Sequence, residues 1–205
     1  MISWRTDFAL WWPDYDHKPQ ACHARVMARR RDVDGAVQLC KQRRTCVQAG
    51  GHAGIWPLRL AGTFGEVLTF EPEPALFQCL KRNLELSEAH NIIASETALG
   101  DRSGLVKLRP APSAGSWRVD EAGTYSVAQV AIDDMGLTQL DALILDVEGY
   151  EPQVIAGAAR TIERCRPVIM VEELPRSRAT IRTVLDELGY VHVFQVHDDH
   201  VYVRA

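Results

Sequence analysis

TCVQAGGHAG at residues 45–54 and EVLTFEP at residues 66–72 decide the fold. Each begins as a short apolar run, which predicts a buried β-strand. The first run ends at Gly50 and Gly51, where the absence of a Cβ lets the chain turn sharply and lets a ligand approach the backbone. The second run ends at Glu71. We therefore predict two strands whose carboxyl ends carry a tight turn and a carboxylate.

Outward from these stretches, apolar runs alternate with amphipathic ones, which indicates strands separated by helices. Such alternation implies parallel pairing, right-handed crossovers and helices on both faces of the sheet. The tail forms a predicted hairpin around Asp198 and Asp199, which adds one antiparallel strand. Further strands are predicted in NIIASETALG, LVKLRP, SVAQVAI, DALILDVEG and RPVIMVEEL, and helices in GIWPLRLAGTF, PALFQCLKRNLELS, EPQVIAGAARTIERC and SRATIRTVLDELG. Residues 110–125 are small and polar and are predicted to form a surface loop.

The chain of 205 residues fits one domain, residues 1–205. Residues 1–44 read as a helical extension or cap, with one clear helix signal after Asp32 or Asp34, and residues 45–205 read as the core. Trp12 in this extension is a candidate for the substrate pocket. Two basic runs, residues 25–31 and 41–44, indicate exposed helix faces or a docking patch for an anionic substrate.

Composition excludes several classes of protein. No apolar run is long enough to span a bilayer, and the start of the chain lacks the features of a signal peptide, so we expect a cytoplasmic protein. Five cysteines without a C-x-x-C pair argue for reduced, mostly buried thiols and against a zinc site. The net charge of −4 makes a nucleic-acid partner an unfavoured expectation.

A nucleoside site is predicted at the ends of the first two strands. Glu71 follows Gly50 by 21 residues, a spacing at which an acid accepts hydrogen bonds from both ribose hydroxyls. The helix after the turn offers N–H groups to a carboxylate or phosphate. Ala49 stands where the first glycine of a dinucleotide motif belongs, which disfavours NAD.

A second group of acids follows the later strands. Asp146 and Glu148 share one face if their strand extends that far. On that face they could bind the amino group of a cofactor, orient a substrate hydroxyl, or hold a metal together with Asp133 or Asp134. No ligand cluster has clear metal spacing, so no metal site is predicted. Glu151 is expected only to cap a helix.

Glu172 and Glu173 end the next strand, where alternation points one of them into the cleft and the other outward. Glu172 is the candidate for substrate contact. His197 and His200 flank the hairpin turn and are expected at the surface.

The succession of motifs resembles the FkbM-type methyltransferases. It runs through VQAGGHAG, FEPEPALFQCL, ALGDRSG and LDVEGYEPQVIAGAARTIERCRPVIM, over about residues 45–175. The resemblance implies a Rossmann-like class I methyltransferase fold, with a mostly parallel seven-stranded sheet and an antiparallel C-terminal strand. It also implies S-adenosylmethionine as cofactor and O-methylation of a hydroxyl on a sugar or other small molecule.

The resemblance also assigns roles to individual residues. Gly50, Gly51 and Gly54 would lie at the methionine end of the cofactor, and Glu71, with Pro72 beside it, at the ribose. Thr97 and Ala98 would lie near the adenine, and Asp146 near the methionine amino group or the acceptor. Gln48 and His52 replace the acid and asparagine that are usual in the family. Both stay candidate cofactor ligands, and the candidate bases are Asp146, Glu148 and His52.

Three alternatives stay open. An NAD-dependent oxidoreductase would use the same turn and Glu71. A non-catalytic S-adenosylmethionine-binding domain would act through protein contacts after loss of the acid at Gln48. A nucleic-acid methyltransferase would use the basic run at residues 25–31.

Overall fold

The computed structural model describes residues 4–5 and 10–205, with side chains from residue 10 onward. The strands and helices are, in chain order, β1 (Trp4–Arg5), β2 (Trp12–Pro13), α1 (Pro19–Ala28), α2 (Val33–Leu39), β3 (Thr45–Ala49), α3 (Ile55–Ala61), β4 (Glu66–Phe70), α4 (Pro74–Glu85), β5 (Ile92–Ser95), β6 (Ala98–Leu99), β7 (Gly104–Arg109), β8 (Arg118–Val119), β9 (Tyr125–Val130), β10 (Ala142–Leu145), α5 (Glu151–Ala156), α6 (Ala159–Cys165), β11 (Val168–Glu172), α7 (Arg178–Glu187), β12 (Tyr190–Val196) and β13 (Asp199–Arg204). Single turns of 3₁₀-helix lie at Arg29–Arg31 and Ile132–Asp134.

Seven strands form the central sheet in the order β12-β13-β11-β10-β3-β4-β5. The pairs β3–β4, β4–β5, β10–β3 and β10–β11 are parallel, while β13 is antiparallel to both β11 and β12. The predicted fold, a mostly parallel seven-stranded sheet with an antiparallel last strand, is confirmed. Its strand order reverses between β3 and β10, and this is where ligands bind in open α/β sheets.

The strand register brings the predicted site residues to one edge of the sheet. Ala49, Phe70 and Leu145 are neighbours across β3, β4 and β10, so the residues that follow them in the chain emerge side by side. Val171 lies beside Leu145 on the other flank, which places Glu172 next to the end of β10.

Two apolar cores cover the two faces of the sheet. On one face, inward side chains such as Cys46 and Ile144 pack under α2 and α3. On the other, their alternating neighbours, such as Val47 and Leu145, pack under α5, α6 and α7. This alternation is the period of two that a buried strand requires. All five cysteines are free thiols, and four of them are buried.

Three hydrogen bonds fasten the N-terminal segment across the sheet edge to two core helices, α3 and α4 with its N-cap. Trp11 N donates to Asn83 Oδ1 at 2.7 Å, and the Tyr15 hydroxyl donates to Glu73 Oε2 at 3.0 Å. Trp56 Nε1 donates to the carbonyl oxygen of Arg29 at 3.0 Å. These bonds hold α1 above the carboxyl ends of the strands.

Several local predictions need correction. NIIASETALG is two strands: β5 ends the central sheet, and β6 joins a second sheet of order β6-β9-β7-β8. β5 is the edge strand of the central sheet, and the residues after it form β6, which pairs with β9 in the second sheet. The segment predicted as a loop at residues 110–125 contains β8, which pairs with β7.

Helix boundaries also differ from the predictions. α1 was not predicted, since of its residues only Pro19 and Cys22 are buried and its apolar periodicity is weak. The helix predicted over EPQVIAGAARTIERC is two helices separated at Gly157. β10 ends at Leu145, so Asp146 and Glu148 do not share a strand face.

Within residues 4–5 and 10–205, no helix has both the length and the apolar composition needed to cross a bilayer.

Replacing Gly50 with alanine tests the tight turn after β3. Gly50 has φ +85°, and an added Cβ would clash with the carbonyl oxygen of Asp146. We expect Gly50→Ala to lower the free energy of unfolding by about 2 kcal/mol or more, measured by urea denaturation. The control is Gly62→Ala, where φ is −69° and the nearest atom would lie 3.6 Å from the Cβ. Equal free energies of unfolding for the two variants would contradict the close approach of Gly50 to the carbonyl oxygen of Asp146.

Candidate functional site

One cavity opens at the carboxyl ends of β3, β4, β10 and β11. Ten of the predicted site residues line it: Gly50, Gly51, His52, Glu71, Pro72, Thr97, Ala98, Asp146, Glu148 and Glu172. Three others, Trp12, Gln48 and Gly54, do not line it. The tertiary structure thus brings both predicted groups of residues, the nucleoside site and the later acids, into a single site.

Glu71 is almost fully enclosed, with 6% of its surface exposed. Its carboxylate accepts hydrogen bonds from the backbone N–H of His52 at 2.8 Å and of Glu73 at 2.9 Å. Burial raises the pKa of Glu71 to about 7, although the two N–H bonds oppose the rise. Each oxygen keeps a second lone pair, so the carboxylate can still accept a hydrogen bond from a ligand hydroxyl.

The predicted free N–H groups belong to the start of the helix after the glycine turn, and the turn itself adds none. All five N–H groups of residues 50–54 are already donated within the chain, so none of them is available to a carboxylate or phosphate. Their acceptors are the Phe70 carbonyl oxygen for Gly50 and Gly51, Glu71 Oε2 for His52, His52 Nδ1 for Ala53, and the Gly51 carbonyl oxygen for Gly54. The turn serves instead to bring bare backbone to the cavity wall.

Gln48 lies beneath this turn rather than in the cavity. It is fully buried, its Nε2 donates to the carbonyl oxygen of Gly50 at 2.8 Å, and its Oε1 accepts from Thr69 Oγ1 at 2.5 Å. The expectation that Gln48 touches the cofactor is therefore corrected: the amide supports the turn. A carboxylate there could not donate to the carbonyl of Gly50, which is a physical reason for glutamine at this position.

His52 is held in a structural position. Its Nδ1 accepts from the N–H of Ala53 at 2.8 Å, and its ring packs on Trp12 with the centroids 4.9 Å apart. A Cβ on Gly115 would lie 2.7 Å from the imidazole, so the loop before β8 closes over the ring. Burial lowers the pKa of His52 to about 4, so the ring is neutral near pH 7.

Trp12 was a candidate substrate residue, but it lies behind His52. It is fully buried, and its Nε1 donates to Asp16 Oδ2 at 2.9 Å. Trp12 supports the wall of the cavity and does not line it.

Asp146 and Glu148 reach the cavity from the loop after β10. Burial raises the pKa of Asp146, against the charges of Arg29 and Arg25. Burial, with the charge of Asp146, raises the pKa of Glu148 to about 7. Glu148 takes this position with φ +56°, an uncommon backbone conformation for a residue with a side chain.

Glu151 organises that loop from inside. It is fully buried and accepts from the N–H groups of Val147 at 3.1 Å and Gly149 at 3.0 Å. The expectation that it only caps a helix is too narrow, because its bonds fix the backbone between Asp146 and Glu148.

Alternation does separate Glu172 from Glu173, but both are buried. Glu172 faces the cavity, where burial and then the charges of Asp146 and Glu148 raise its pKa to about 9. Glu173 lies on the opposite face, bonded to Arg182 Nε at 3.0 Å and to the hydroxyl of Tyr202. Its predicted exposure is wrong because α7 and β13 cover that face.

The histidines of the hairpin also differ from each other. His197 is partly exposed, and its Nδ1 lies 3.0 Å from Asp32 Oδ2. His200 is 2% exposed and contacts His192 Nε2 through its Nδ1 at 3.1 Å, so its predicted surface position is wrong. β13 is an internal strand of the sheet, and this buries His200.

Two sets of lining residues were missed as site residues. Arg25 and Arg29 come from α1 and the turn after it, and only the basic run in the sequence hinted at them. Trp117, Arg118 and Val119 come from the second sheet, in the segment predicted as a surface loop. The small, polar segment 110–125 was expected to help shape the acceptor pocket, but no motif in it singles out these three residues.

Among residues 10–205, no group of three or more His, Cys, Asp or Glu side chains is placed to hold a metal ion. The donors present fit a nucleoside that carries an amino acid. Glu71 offers acceptors for ribose hydroxyls, Ala98, Leu99 and Leu108 offer apolar walls for a base, and Asp146 offers a carboxylate for an amine.

The strand order, the single antiparallel strand and a cavity at the switch point between β3 and β10 define the class I methyltransferase fold. Within that class, the chain belongs to the FkbM methyltransferase family, because the model of the methyltransferase FkbM domain matches residues 48–192.

Similar proteins agree with this assignment. The chain is 25% identical to the 2-O-methyltransferase NoeI of Sinorhizobium fredii over 150 residues, which are 60% of this chain and 61% of that protein. The crystal structure of an FkbM methyltransferase from Methylobacillus flagellatus superposes with a TM-score of 0.58 at 19% identity, covering 79% of this chain and 43% of that one. Magnesium protoporphyrin IX methyltransferase of Synechocystis, solved with bound S-adenosylmethionine, superposes at 0.52 and 13% identity, covering 87% and 81%. The match thus spans less than two thirds of the first two proteins.

Glu172→Gln tests the electrostatic cost of the acids in the cavity. Because the folded pKa of Glu172, about 9, lies above its ordinary value of 4.5, the wild type loses stability as pH rises from about 5 to 9. The uncharged variant lacks this loss, so we expect it to be more stable than the wild type at pH 9 by about 1–3 kcal/mol. Urea denaturation from pH 5 to 9 measures the difference. Exposed Glu163→Gln is the control and should follow the wild type at every pH.

Proposed function

We propose that this protein is an S-adenosylmethionine-dependent methyltransferase that methylates a hydroxyl of a small molecule or glycan. One observation carries the proposal: Glu71 and Asp146 line the same cavity, together with the bare backbone of Gly50 and Gly51. This arrangement offers a partner for each polar end of the cofactor.

Glu71 would hold the ribose hydroxyls, and Asp146 would hold the methionine amino group by a charge-assisted hydrogen bond. Thr97 and Ala98 would lie near the adenine, and Pro72 would lie beside the ribose. When bound, the cofactor supplies a methyl group activated by a positively charged sulfur. The protein then has mainly to align the acceptor oxygen and to exclude water.

Glu148 is the best candidate for the general base. A hydroxyl loses its proton when it accepts a methyl group, and a base works best with a pKa near the working pH. Glu148 has a pKa of about 7 and lines the cavity. His52 is a poor candidate, since its Nδ1 is already bonded and Gly115 covers its ring. Asp146 is committed to the cofactor in this assignment.

The likeness to NoeI, which is described as a 2-O-methyltransferase, supports a hydroxyl as the acceptor. The rival assignments differ in what the cavity binds. Calorimetry with S-adenosylhomocysteine and with NAD separates the methyltransferase from the oxidoreductase. A non-catalytic binding domain would bind S-adenosylhomocysteine and turn over no hydroxyl compound. A nucleic-acid methyltransferase would show salt-dependent binding of DNA or RNA.

Glu71→Ala tests the ribose site. Removal of the carboxylate deletes the acceptor for the two hydroxyls, so we expect the affinity for S-adenosylhomocysteine to fall about 10- to 100-fold by calorimetry. Circular dichroism at the temperature of the titration checks that the variant is folded, because Glu71 also accepts two backbone N–H bonds. Glu163→Gln should bind as the wild type does, and an unchanged affinity in Glu71→Ala would remove Glu71 from the cofactor site.

Glu148→Gln tests the base. In the wild type, methyl transfer should rise with pH and level off above about pH 7, as the carboxyl ionises. The variant should lose this rise and about 10²–10⁴-fold in rate, because an amide takes up no proton. Its affinity for S-adenosylhomocysteine should stay within a few fold of the wild type. The assay is release of S-adenosylhomocysteine with a library of hydroxyl compounds. Wild-type turnover by Glu148→Gln would exclude the assignment.

A further inference from the structure

The loop that carries Glu148 has an unusual backbone. It runs from Asp146, just after β10, to Glu151 at the start of α5. Within it, Glu148 has φ +56° and Gly149 has φ +95°. The left-handed region costs a residue with a side chain about 1–3 kcal/mol, so such a residue stays there only where neighbouring groups hold it. The contacts of this loop therefore decide where the Glu148 carboxylate lies.

Two side chains hold one peptide group of this loop from opposite sides. Glu151 accepts a hydrogen bond from the N–H of Gly149 at 3.0 Å. Arg176 Nη2 donates to the carbonyl oxygen of Glu148 at 2.5 Å. That carbonyl and that N–H belong to the same peptide group, so the two bonds together fix its orientation.

Arg176 reaches the loop from the neighbouring strand. It lies between β11, which ends at Glu172, and α7, which begins at Arg178. Because β10 and β11 are parallel neighbours, the bond from Arg176 joins the two loops that follow them. It thereby links the backbone of Glu148 to the connection that follows Glu172, and both of these acids line the cavity.

Gly149 makes room for the guanidinium group. A Cβ at Gly149 would overlap Arg176 Nε and would lie 2.9 Å from Arg176 Cζ, closer than packed carbon atoms approach. The guanidinium group therefore packs directly on the bare Cα of Gly149. One glycine thus serves both the left-handed backbone and the close approach of the arginine.

Arg176 also brings a positive charge to Glu148. Burial is the largest cause of the raised pKa of Glu148, nearby acids add to it, and nearby arginines oppose it. These groups are the acids Asp146 and Glu151 and the arginines Arg176 and Arg25. The charge of Glu148 in turn raises the pKa of Glu172. Among the ion pairs of 4 Å or less within residues 10–205 none contains Arg176, so no nearer acid neutralises its charge.

We propose that Arg176 is a positioning residue for methyl transfer: its guanidinium group, packed on Gly149 and bonded to the carbonyl oxygen of Glu148, holds the peptide group that directs the Glu148 carboxylate into the cavity. This inference rests on the proposed function, in which Glu148 takes the proton of the reacting hydroxyl. Arg176 does not line the cavity, so it acts through Glu148 and touches neither the cofactor nor the acceptor.

Carbon-13 NMR of the glutamate carboxyl groups tests the charge of Arg176 without turnover. A pH titration of the free protein gives the pKa of Glu148, about 7 in the wild type, and Glu148→Gln assigns its signal. Arg176→Gln removes a positive charge, so we expect the pKa of Glu148 to rise by about 0.5 pH units or more. Arg176→Lys keeps the charge and should retain a pKa nearer that of the wild type. A residue that only stabilised the loop would not produce this difference between glutamine and lysine.

Amide hydrogen exchange of Gly149 tests the geometry. Its N–H is bonded to Glu151 only while the peptide group keeps its orientation. Arg176→Gln loses the bond to the carbonyl oxygen of Glu148, so we expect exchange at Gly149 to become about 3- to 10-fold faster. Arg176→Lys lacks the planar group that packs on Gly149, so exchange should be faster in that variant as well.

Methyl transfer gives a third measurement, with any hydroxyl compound that the wild type methylates. Arg176→Gln should lower kcat, and the rise of the rate with pH should move to higher pH together with the pKa of Glu148. The affinity for S-adenosylhomocysteine should stay within a few fold of the wild type, because Arg176 does not line the cavity.

Arg164→Gln is the matched control. Arg164 is also exposed, and its Nη2 donates to the carbonyl oxygen of Leu137 at 2.6 Å, but it lies on α6 and does not line the cavity. This variant should change neither the pKa of Glu148 nor the exchange of Gly149.

The proposal is overturned if Arg176→Gln leaves either the pKa of Glu148 or the exchange of Gly149 at the wild-type value. If that variant does not fold, Arg176→Lys decides, and unchanged exchange of Gly149 in it overturns the proposal. Failure of the proposed function would look different, since the wild type would then not bind S-adenosylhomocysteine. The NMR measurements on the free protein would still give their result.

Discussion

The site depends on one close approach of two backbones, where the turn after β3 meets the end of β10. Gly50 fits against the carbonyl oxygen of Asp146 only because it has no side chain. Gln48 supports the same turn from below by donating to the carbonyl oxygen of Gly50. The contact lies at the switch point of the sheet, where β3 and β10 are hydrogen-bonded neighbours. It joins the turn beside Glu71 to the loop that carries Asp146 and Glu148.

The acids of the cavity have an electrostatic cost to the fold. Glu71, Glu148 and Glu172 line the cavity, and Asp199 pairs with Glu172 from β13. All four have raised pKa values, and in each the first cause is burial. Acids that only served stability would be exposed or paired, as Glu173 is with Arg182 on the other face. Destabilising charges concentrated in one cavity are typical of functional sites, where stability is given up for chemistry.

Segments outside the central sheet complete the cavity. The N-terminal segment brings Arg25 and Arg29 over the strand ends, and the second sheet brings Trp117 to Val119 over the cavity. The two segments meet at His52, between Trp12 and Gly115. The neutral imidazole thus connects the extension, the glycine turn and the second sheet.

The sequence by itself determined the alternation of strands and helices and the antiparallel C-terminal hairpin, because period-two patterns, helical patterns and turn residues are local signals. The family resemblance implied the seven-stranded sheet. The sequence also pointed to Glu71, Asp146 and Glu172, which line the cavity, since each ends or follows a buried strand. The sequence misplaced the side chains of Gln48, Trp12 and His200, because residues from distant parts of the chain bury them. Tertiary structure alone decided that β13 buries His200, that α1 carries arginines to the cavity, and that Glu172 pairs with Asp199. The physical reason is that charge pairing and burial depend on neighbours across strands, which no local pattern encodes.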